Sequence, residues 1–276
     1  MPTYYPGKHA VSFVDFHFEN IQDARLEESS AVGKSTVKYS SATITYRYPD
    51  GEVDELRLEC PPTWASSGII YSTMSDSPKP QIPLEICPGD GDSFMSKPSQ
   101  YPRGAVSVDH QKCYGRRDSI FSSIFEICLR LIADKMGKSL EETILVMSNP
   151  HVIKWDKGSK MYATIKKNVG AKGTVQAPMV DSLNRDIHWD KVSGQDRSWL
   201  VIPTFTFRAF FGATKAMHSV APVLVKMMFL KSGPGGPTTP VSTTLKAFTE
   251  SEEAKAAADS LFGPPPAVEE LLELPE

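Results

Sequence analysis

Lysines, arginines and aromatic residues alternate through the middle of this chain, and together they predict a surface for an unpaired nucleic-acid strand. The set comprises Lys154, Trp155, Lys157, Lys160, Tyr162, Lys166, Lys167, Lys172, Trp189, Lys191, Trp199, Arg208, Phe210, Lys215, Lys226 and Lys231. Basic side chains neutralise phosphates in a salt-dependent way, while an exposed base stacks on an aromatic ring for about 1–3 kcal/mol. Because every base has such a face, the predicted binding tolerates any sequence.

Roles can be assigned within this set. Phosphate contacts are expected from Lys154, Lys160, Lys166, Lys167, Lys172, Arg208, Lys215 and Lys226, and stacking from Trp155, Tyr162, Trp189 and Phe210. Arg47 and Tyr48 are expected to extend the path. A structural role competes for some aromatic residues: Phe205, Phe207 and Phe211 share one face of a strand and are expected in the core, whereas Arg208 and Phe210 share the other face.

The charge of the chain is unevenly distributed. Residues 1–150 hold 15 Lys/Arg and 20 Asp/Glu, while residues 151–231 hold 13 and 5, giving +8. Residues 232–276 hold 2 and 8, giving −6. A basic segment followed by an acidic one predicts a polyanion-binding surface and a tail that competes for it or meets a partner.

Hydrophobic periodicity predicts the elements that must position these residues. Alternation indicates strands at residues 11–19, 160–167, 199–211 and 220–231, shorter strands at 68–71, 83–87 and 152–154, and a hairpin at 42–60 that turns at Pro49-Asp50-Gly51. The clearest helix covers residues 119–136, with Asp118 as N-cap and Gly137 at its end. A short helix follows Ser139, which has capping-box spacing to Glu142. The pattern predicts a largely β, α+β body at residues 1–231.

Residues 232–276 differ from this body. The Pro/Gly-rich sequence SGPGGPTTP predicts a flexible linker, and the last ten residues, AVEELLELPE, predict a disordered acidic tip. The residues proposed to bind a partner are Glu269, Glu270, Leu271, Leu272, Glu273, Leu274 and Glu276.

Catalytic and metal-binding patterns are weak. Gly33-Lys34-Ser35 resembles the end of a phosphate-binding loop, but Glu28 stands where the first glycine belongs and a strand pattern follows. Asp186, His188 and Asp190, or His110 with Cys113, fall short of the four ligands of a structural zinc site. We expect a non-enzymatic protein with no metal and no cofactor.

Two further patterns bear on location. No apolar run approaches the roughly 20 residues that span a bilayer, and residues 1–10 lack a signal-peptide pattern. The four cysteines, Cys60, Cys87, Cys113 and Cys128, are widely spaced, which favours reduced thiols. We therefore expect an intracellular protein that does not bind membranes.

Taken in order, several segments resemble the single-stranded DNA-binding proteins of large DNA viruses, including those that infect algae and protists. The likeness covers about residues 35–231: the hairpin ending in LRLECP at residues 56–61, the central helix, the strand beginning Lys160-Met161-Tyr162, a Trp-containing connection, and the pair PTFTFRAFFG and SVAPVLVKMMFL. It implies a five-stranded oligonucleotide/oligosaccharide-binding (OB) barrel with added strands that coats single strands during replication, recombination or repair in an infected cell. The acidic tail is similar to tails that bind replication proteins such as a polymerase, helicase or primase, but it ends in Leu-Pro-Glu and not in an aromatic residue.

Two other functions stay open. A virion-associated structural protein would bind single strands no better than any moderately basic surface, with the tail serving assembly. An RNA chaperone would prefer strands that carry 2′-hydroxyl groups. Self-association is compatible with all three.

Overall fold

The fold is described from a computed structural model, which covers residues 9–28, 39–65, 68–71, 80–85, 108–114, 119–147, 160–164, 177–188, 191–192, 199–212 and 219–232. In these residues the strands are β1 Val11–Ser12, β2 Ile21–Glu28, β3 Tyr39–Arg47, β4 Val53–Glu55, β5 Leu58–Glu59, β6 Thr63–Ala65, β7 Ile70–Tyr71, β8 Pro80–Glu85, β9 Lys160–Thr164, β10 Met179–Asp181, β11 Trp199–Gly212 and β12 Ser219–Ser232. The α-helices are α1 Val108–Tyr114, α2 Ile120–Met136 and α3 Leu140–Val146. The predicted mainly β, α+β class is confirmed, with a mixed sheet.

Two long antiparallel strands, β11 and β12, organise the sheet. Each has 14 residues, and their pairing is interrupted by register shifts at Leu200/Val201 and Thr204/Phe205. Such bulges bend a strand and increase its twist. The other edge of β11 pairs in turn with β6, β5 and β3, so one strand aligns three others.

The predicted hairpin is present and supplies one wall of the core. In β3 the side chains of Ile44 and Tyr46 are buried, and the chain turns at Gly51, whose φ of 86° suits glycine. Leu56 and Leu58 are buried on the return. The alternation in this segment therefore places its apolar residues inward, as the sequence predicts.

Five strands follow one another around a ring. β11 pairs with β6, β6 with β8, and β8 with β9. β9 then approaches β12 with Cα atoms within 8 Å, and β12 pairs with β11. Side chains from several of these strands, including Ala65, Ile82 and Phe229, belong to one core cluster.

Helix α2 covers the inner face of β11. The predicted helix is confirmed, although Ser119 is the N-cap, accepting a hydrogen bond from the amide of Ser122. Phe121 contacts Phe205 and Phe207 edge-on at centroid distances of 5.6 and 4.9 Å. The helix ends at Gly137 in the left-handed conformation, and the capping box of α3 between Ser139 and Glu142 is complete.

The strand predicted at residues 11–19 is wrong. β1 ends at Ser12, whose hydroxyl bonds with Asp15 and favours a local turn, and a 3₁₀-helix occupies Phe18–Asn20. As a result Phe13 and Phe16 are buried, whereas Val14 and Phe18 are exposed. Alternation places Val14, Phe16 and Phe18 on one half-buried face, and this prediction is wrong for Val14 and Phe18.

Some predictions lie outside the described residues: the Gly33-Lys34-Ser35 segment, the strand at 152–154, the ends of two predicted strands at 86–87 and 165–167, and the tail from residue 233. In the part of the chain that is described, no helix is both long and apolar enough to cross a bilayer.

Candidate nucleic-acid interface

The side of the sheet that faces away from α2, here called the outer face, carries polar and charged residues beside a buried apolar cluster that includes Ile202 and Met228. Directly paired residues of antiparallel strands project to the same side of a sheet. The pairs Arg208↔Thr43, Phe210↔Ser41, Thr204↔Lys226 and Thr204↔Glu59 therefore share one side, opposite buried Phe205 and Phe207. Alternation adds Arg47, Glu55, Arg57 and Thr206 to the outer face.

Four of the residues predicted to bind nucleic acid lie on the outer face: Arg47, Arg208, Phe210 and Lys226. Arg47 is exposed and donates to Gln22 Oε1 at 2.6 Å. Lys226 is half-buried and donates from Nζ to Asn184 Oδ1 at 2.9 Å. Phe210 stands two residues beyond Arg208 on β11, and the six-residue step from Phe210 to Thr204, beside Lys226, spans about 20 Å.

Acidic residues are interspersed with these cations. Glu55 Oε1 lies 3.3 Å from Arg208 Nη2, which links β4 to β11. Burial raises the pKa of Glu59 above its usual 4.5, while the charge of Lys226 acts in the opposite direction. The described outer face is therefore mixed in charge, with cations spaced along it.

Tyr48 was expected to extend the binding path, and its position contradicts this. Its side chain is buried in the core, where the hydroxyl donates to the Glu55 carbonyl at 2.9 Å and accepts from the Arg57 amide at 3.0 Å. Burial raises the pKa of Tyr48 to about 12. The residue shares the inward face of the hairpin with Ile44 and Tyr46, so its ring offers no stacking surface.

The remaining predicted contacts are only partly described. Lys160 and Tyr162 occupy alternate positions of β9, paired with Glu85 and Pro83 of β8. The following lie outside the described residues: Lys154, Trp155, Lys166, Lys167, Lys172, Trp189, Lys215, Glu269, Glu270, Leu271, Leu272, Glu273, Leu274 and Glu276.

Arg57 and Thr206 also lie on the outer face and were not among the predicted contacts. Among the residues that the structure describes, no hydrogen-bond partner is found for the buried atoms Arg57 Nη1, Thr206 Oγ1 and Arg208 Nε. The sequence carried a signal for both, since Arg57 alternates with buried Leu56 and Leu58, and Thr206 alternates with Phe205 and Phe207.

One cluster in the described part of the chain, His9, Asp50 and Glu52, brings together side chains that can bind a metal ion. His9 Nε2 lies 2.8 Å from Glu52 Oε2 and 3.3 Å from Asp50 Oδ2, at the tip of the hairpin. The shorter distance fits a hydrogen bond between the imidazole and the Glu52 carboxylate. Of the patterns weighed in the sequence, His110 Nε2 instead contacts the Pro62 carbonyl oxygen at 2.6 Å, and burial lowers its pKa.

Comparison with known proteins adds no relative to this picture. No protein-family model matches the chain, and no match was found among curated proteins or among solved structures.

Proposed function

We propose that this chain is a non-enzymatic, sequence-independent single-stranded DNA-binding protein that uses the outer face as part of its binding path. The observation that carries the proposal is that Arg47 of β3 shares one side of the sheet with Arg208, Phe210 and Lys226 of the β11–β12 pair, more than 150 positions away in the sequence. Each has the chemistry that a single strand requires, because cations meet phosphates and a ring meets bases.

The roles on this path differ. Arg47 and Lys226 are placed to neutralise phosphates, while Phe210 is half-exposed and offers a base-stacking surface. Arg208 lies 3.3 Å from Glu55, so this carboxylate partly neutralises its charge. The mixed charge of the face favours moderate affinity, with a salt dependence set by the few phosphates that its cations neutralise.

The ring of β11, β6, β8, β9 and β12 supports an OB-type barrel, because that fold has five strands in a partly open barrel. On this proposal the protein coats single strands during replication, recombination or repair in a virus-infected cell, and the acidic tail binds replication proteins. These further roles rest on the sequence resemblance and on the charge of residues 232–276.

The proposal is tested by fluorescence anisotropy with labelled oligothymidine and oligouridine at several salt concentrations. Single substitutions Arg47→Gln and Lys226→Gln are expected to weaken oligothymidine binding and to reduce the slope of log K against log salt by about 0.7 each. Arg130→Gln is the matched control, because Arg130 is exposed on α2 and pairs with Glu126.

Three results would count against the proposal. Binding no tighter than that of any moderately basic surface would favour a structural role, and a preference for oligouridine would favour an RNA chaperone. An equal loss in Arg130→Gln and Lys226→Gln would show that net charge, and not the outer face, determines binding.

A further inference from the structure

Within the described part of the chain, three buried side-chain atoms at the centre of the outer face have no hydrogen-bond partner: Arg57 Nη1, Thr206 Oγ1 and Arg208 Nε. Thr206 retains only 1 % of its surface, although it projects away from the core cluster. A buried polar group that makes no hydrogen bond costs folding free energy, so such a group needs an explanation.

The strand register places these atoms beside one another. β5 and β11 pair at Thr204↔Glu59 and Phe205↔Leu58. The next step in the same register sets Thr206 opposite Arg57. Two residues further, the contact of Arg208 with Glu55 shows that the two segments stay side by side. Opposed residues have Cβ atoms about 5 Å apart, so the three side chains can converge on one small ligand.

The chemistry of the three groups determines the kind of ligand. A guanidinium only donates hydrogen bonds, and a threonine hydroxyl can donate as well. A ligand that satisfies all three must therefore accept several hydrogen bonds, as an oxyanion does, and guanidinium groups bind phosphate oxygens in a fork-like geometry.

The surrounding charges favour an anion. Three cations, Arg57, Arg208 and Lys226, lie near two carboxyl groups, Glu55 and Glu59. Burial disfavours the ionised form of Glu59. Access requires the Arg208 side chain, which is 31 % exposed, to turn away from Glu55. The 3.3 Å contact between Arg208 and Glu55 is long for a charged hydrogen bond. Breaking it therefore costs little interaction energy.

We propose that Arg57, Thr206 and Arg208 form a seat for one phosphate group on the outer face. The inference rests on the proposed function in that the phosphate belongs to a DNA strand, but the same chemistry would bind free inorganic phosphate. The two sources are therefore separate arms of the test.

The first arm measures the melting temperature of the full chain in inorganic phosphate and in chloride at equal ionic strength. Phosphate is expected to raise the melting temperature of the wild type. Thr206→Val, which removes the orphaned hydroxyl at similar volume, is expected to melt higher than wild type in chloride and to gain less from phosphate. Thr206→Ser retains the hydroxyl and should behave like the wild type toward phosphate.

The second arm measures oligothymidine affinity. Loss of one charge-assisted hydrogen bond in Thr206→Val is expected to weaken binding about tenfold, and loss of the bidentate guanidinium contact in Arg57→Lys by a similar factor. Arg130→Gln serves again as the control for overall charge.

The outcomes separate the seat from the proposed function. If the wild type binds oligothymidine but Thr206→Val and Arg57→Lys bind it equally well, the seat is wrong and the proposed function stands. If no oligonucleotide binds but phosphate raises the melting temperature only where Thr206 and Arg57 are intact, the seat stands and the proposed function fails. Absence of both effects overturns both.

Discussion

Glu59 lies on the outer face, where its charge affects both the stability of the fold and the proposed binding. It is paired with Thr204 across β5 and β11, and burial raises its pKa from the usual 4.5, partly offset by Lys226. The folded state therefore holds this proton more tightly than the unfolded chain does. Stability consequently falls as the pH rises from 4.5 through the raised pKa, and an ionised Glu59 also repels phosphates.

Substituting Glu59→Gln is expected to stabilise the protein at pH 7 and to tighten oligothymidine binding, because the buried negative charge is removed. The gain in stability should vanish below pH 4.5, where the wild-type carboxyl is also protonated. Urea unfolding between pH 4 and pH 8 measures this difference. The exposed Glu19→Gln is the control, with an expected change within about 0.5 kcal/mol. A variant less stable than wild type at pH 7 would contradict the account.

The Tyr48 side chain stabilises the fold through its buried hydroxyl, and the substitution Tyr48→Phe tests this role. The substitution leaves the Glu55 carbonyl and the Arg57 amide without their partner, so a loss of about 1–3 kcal/mol is expected. Because burial raises the pKa of Tyr48 to about 12, the wild type should lose more stability between pH 10 and 12 than the phenylalanine variant does. Unchanged unfolding in urea at pH 7 would contradict this role.

Residue-level predictions succeeded where alternation decided the outcome. The sequence placed Arg208 and Phe210 opposite Phe205 and Phe207, and the structure confirms it. The same rule argued against Tyr48 as a contact residue, since it alternates with Arg47. The Glu55–Arg208 pair was not predictable, because its partners are 153 positions apart and meet only through the sheet.

At the scale of elements, the end of α2 provides a test of backbone geometry. Gly137 has a φ of 62°, and no atom would lie within 4 Å of an added Cβ. Gly137→Ala should therefore cost only the left-handed backbone penalty, about 1–2 kcal/mol. Gly137→Asn is the matched control and should lose less, because asparagine tolerates this conformation. Thermal unfolding measures both, and equal losses would contradict the backbone explanation.

Elements with strong local signals were the predictable ones. The capping box at Ser139 and Glu142 and the apolar stripe of α2 are read from neighbouring residues, and both are confirmed. The strand predicted at residues 11–19 failed because the turn bonds between Ser12 and Asp15 prevailed over alternation. The succession of β6, β5 and β3 along β11 depends on long-range pairing that periodicity does not encode.

At the scale of the whole molecule, charge asymmetry predicts competition between tail and DNA. Residues 232–276 carry 8 acidic and 2 basic residues, and β12 reaches Ser232. Deleting residues 233–276 is expected to tighten oligothymidine binding and to increase its salt dependence, because an internal competitor for the cations is removed. Anisotropy titrations of both proteins provide the measurement. Identical affinities would contradict the competing-tail idea.

The architecture as a whole was predictable only as a class. Composition and periodicity indicate a mainly β body, whereas the order of strands in the ring depends on contacts between residues far apart in the chain. The same holds for the candidate site. The sequence assigns single residues to one face of their strand, but only the registers of β3, β11 and β12 show that these residues lie together on the outer face.

Photocrosslinking of an oligothymidine that carries 5-iodouracil tests the central claim most directly, because it maps where the strand lies. After irradiation and trypsin digestion, the account predicts an adduct on the peptide of residues 209–215, which contains Phe210. This adduct should be lost in Phe210→Ala and retained in Phe210→Trp. Efficient crosslinking confined to peptides of α2 or α3, with no adduct on β11 or β12, would show that the strand does not bind the outer face.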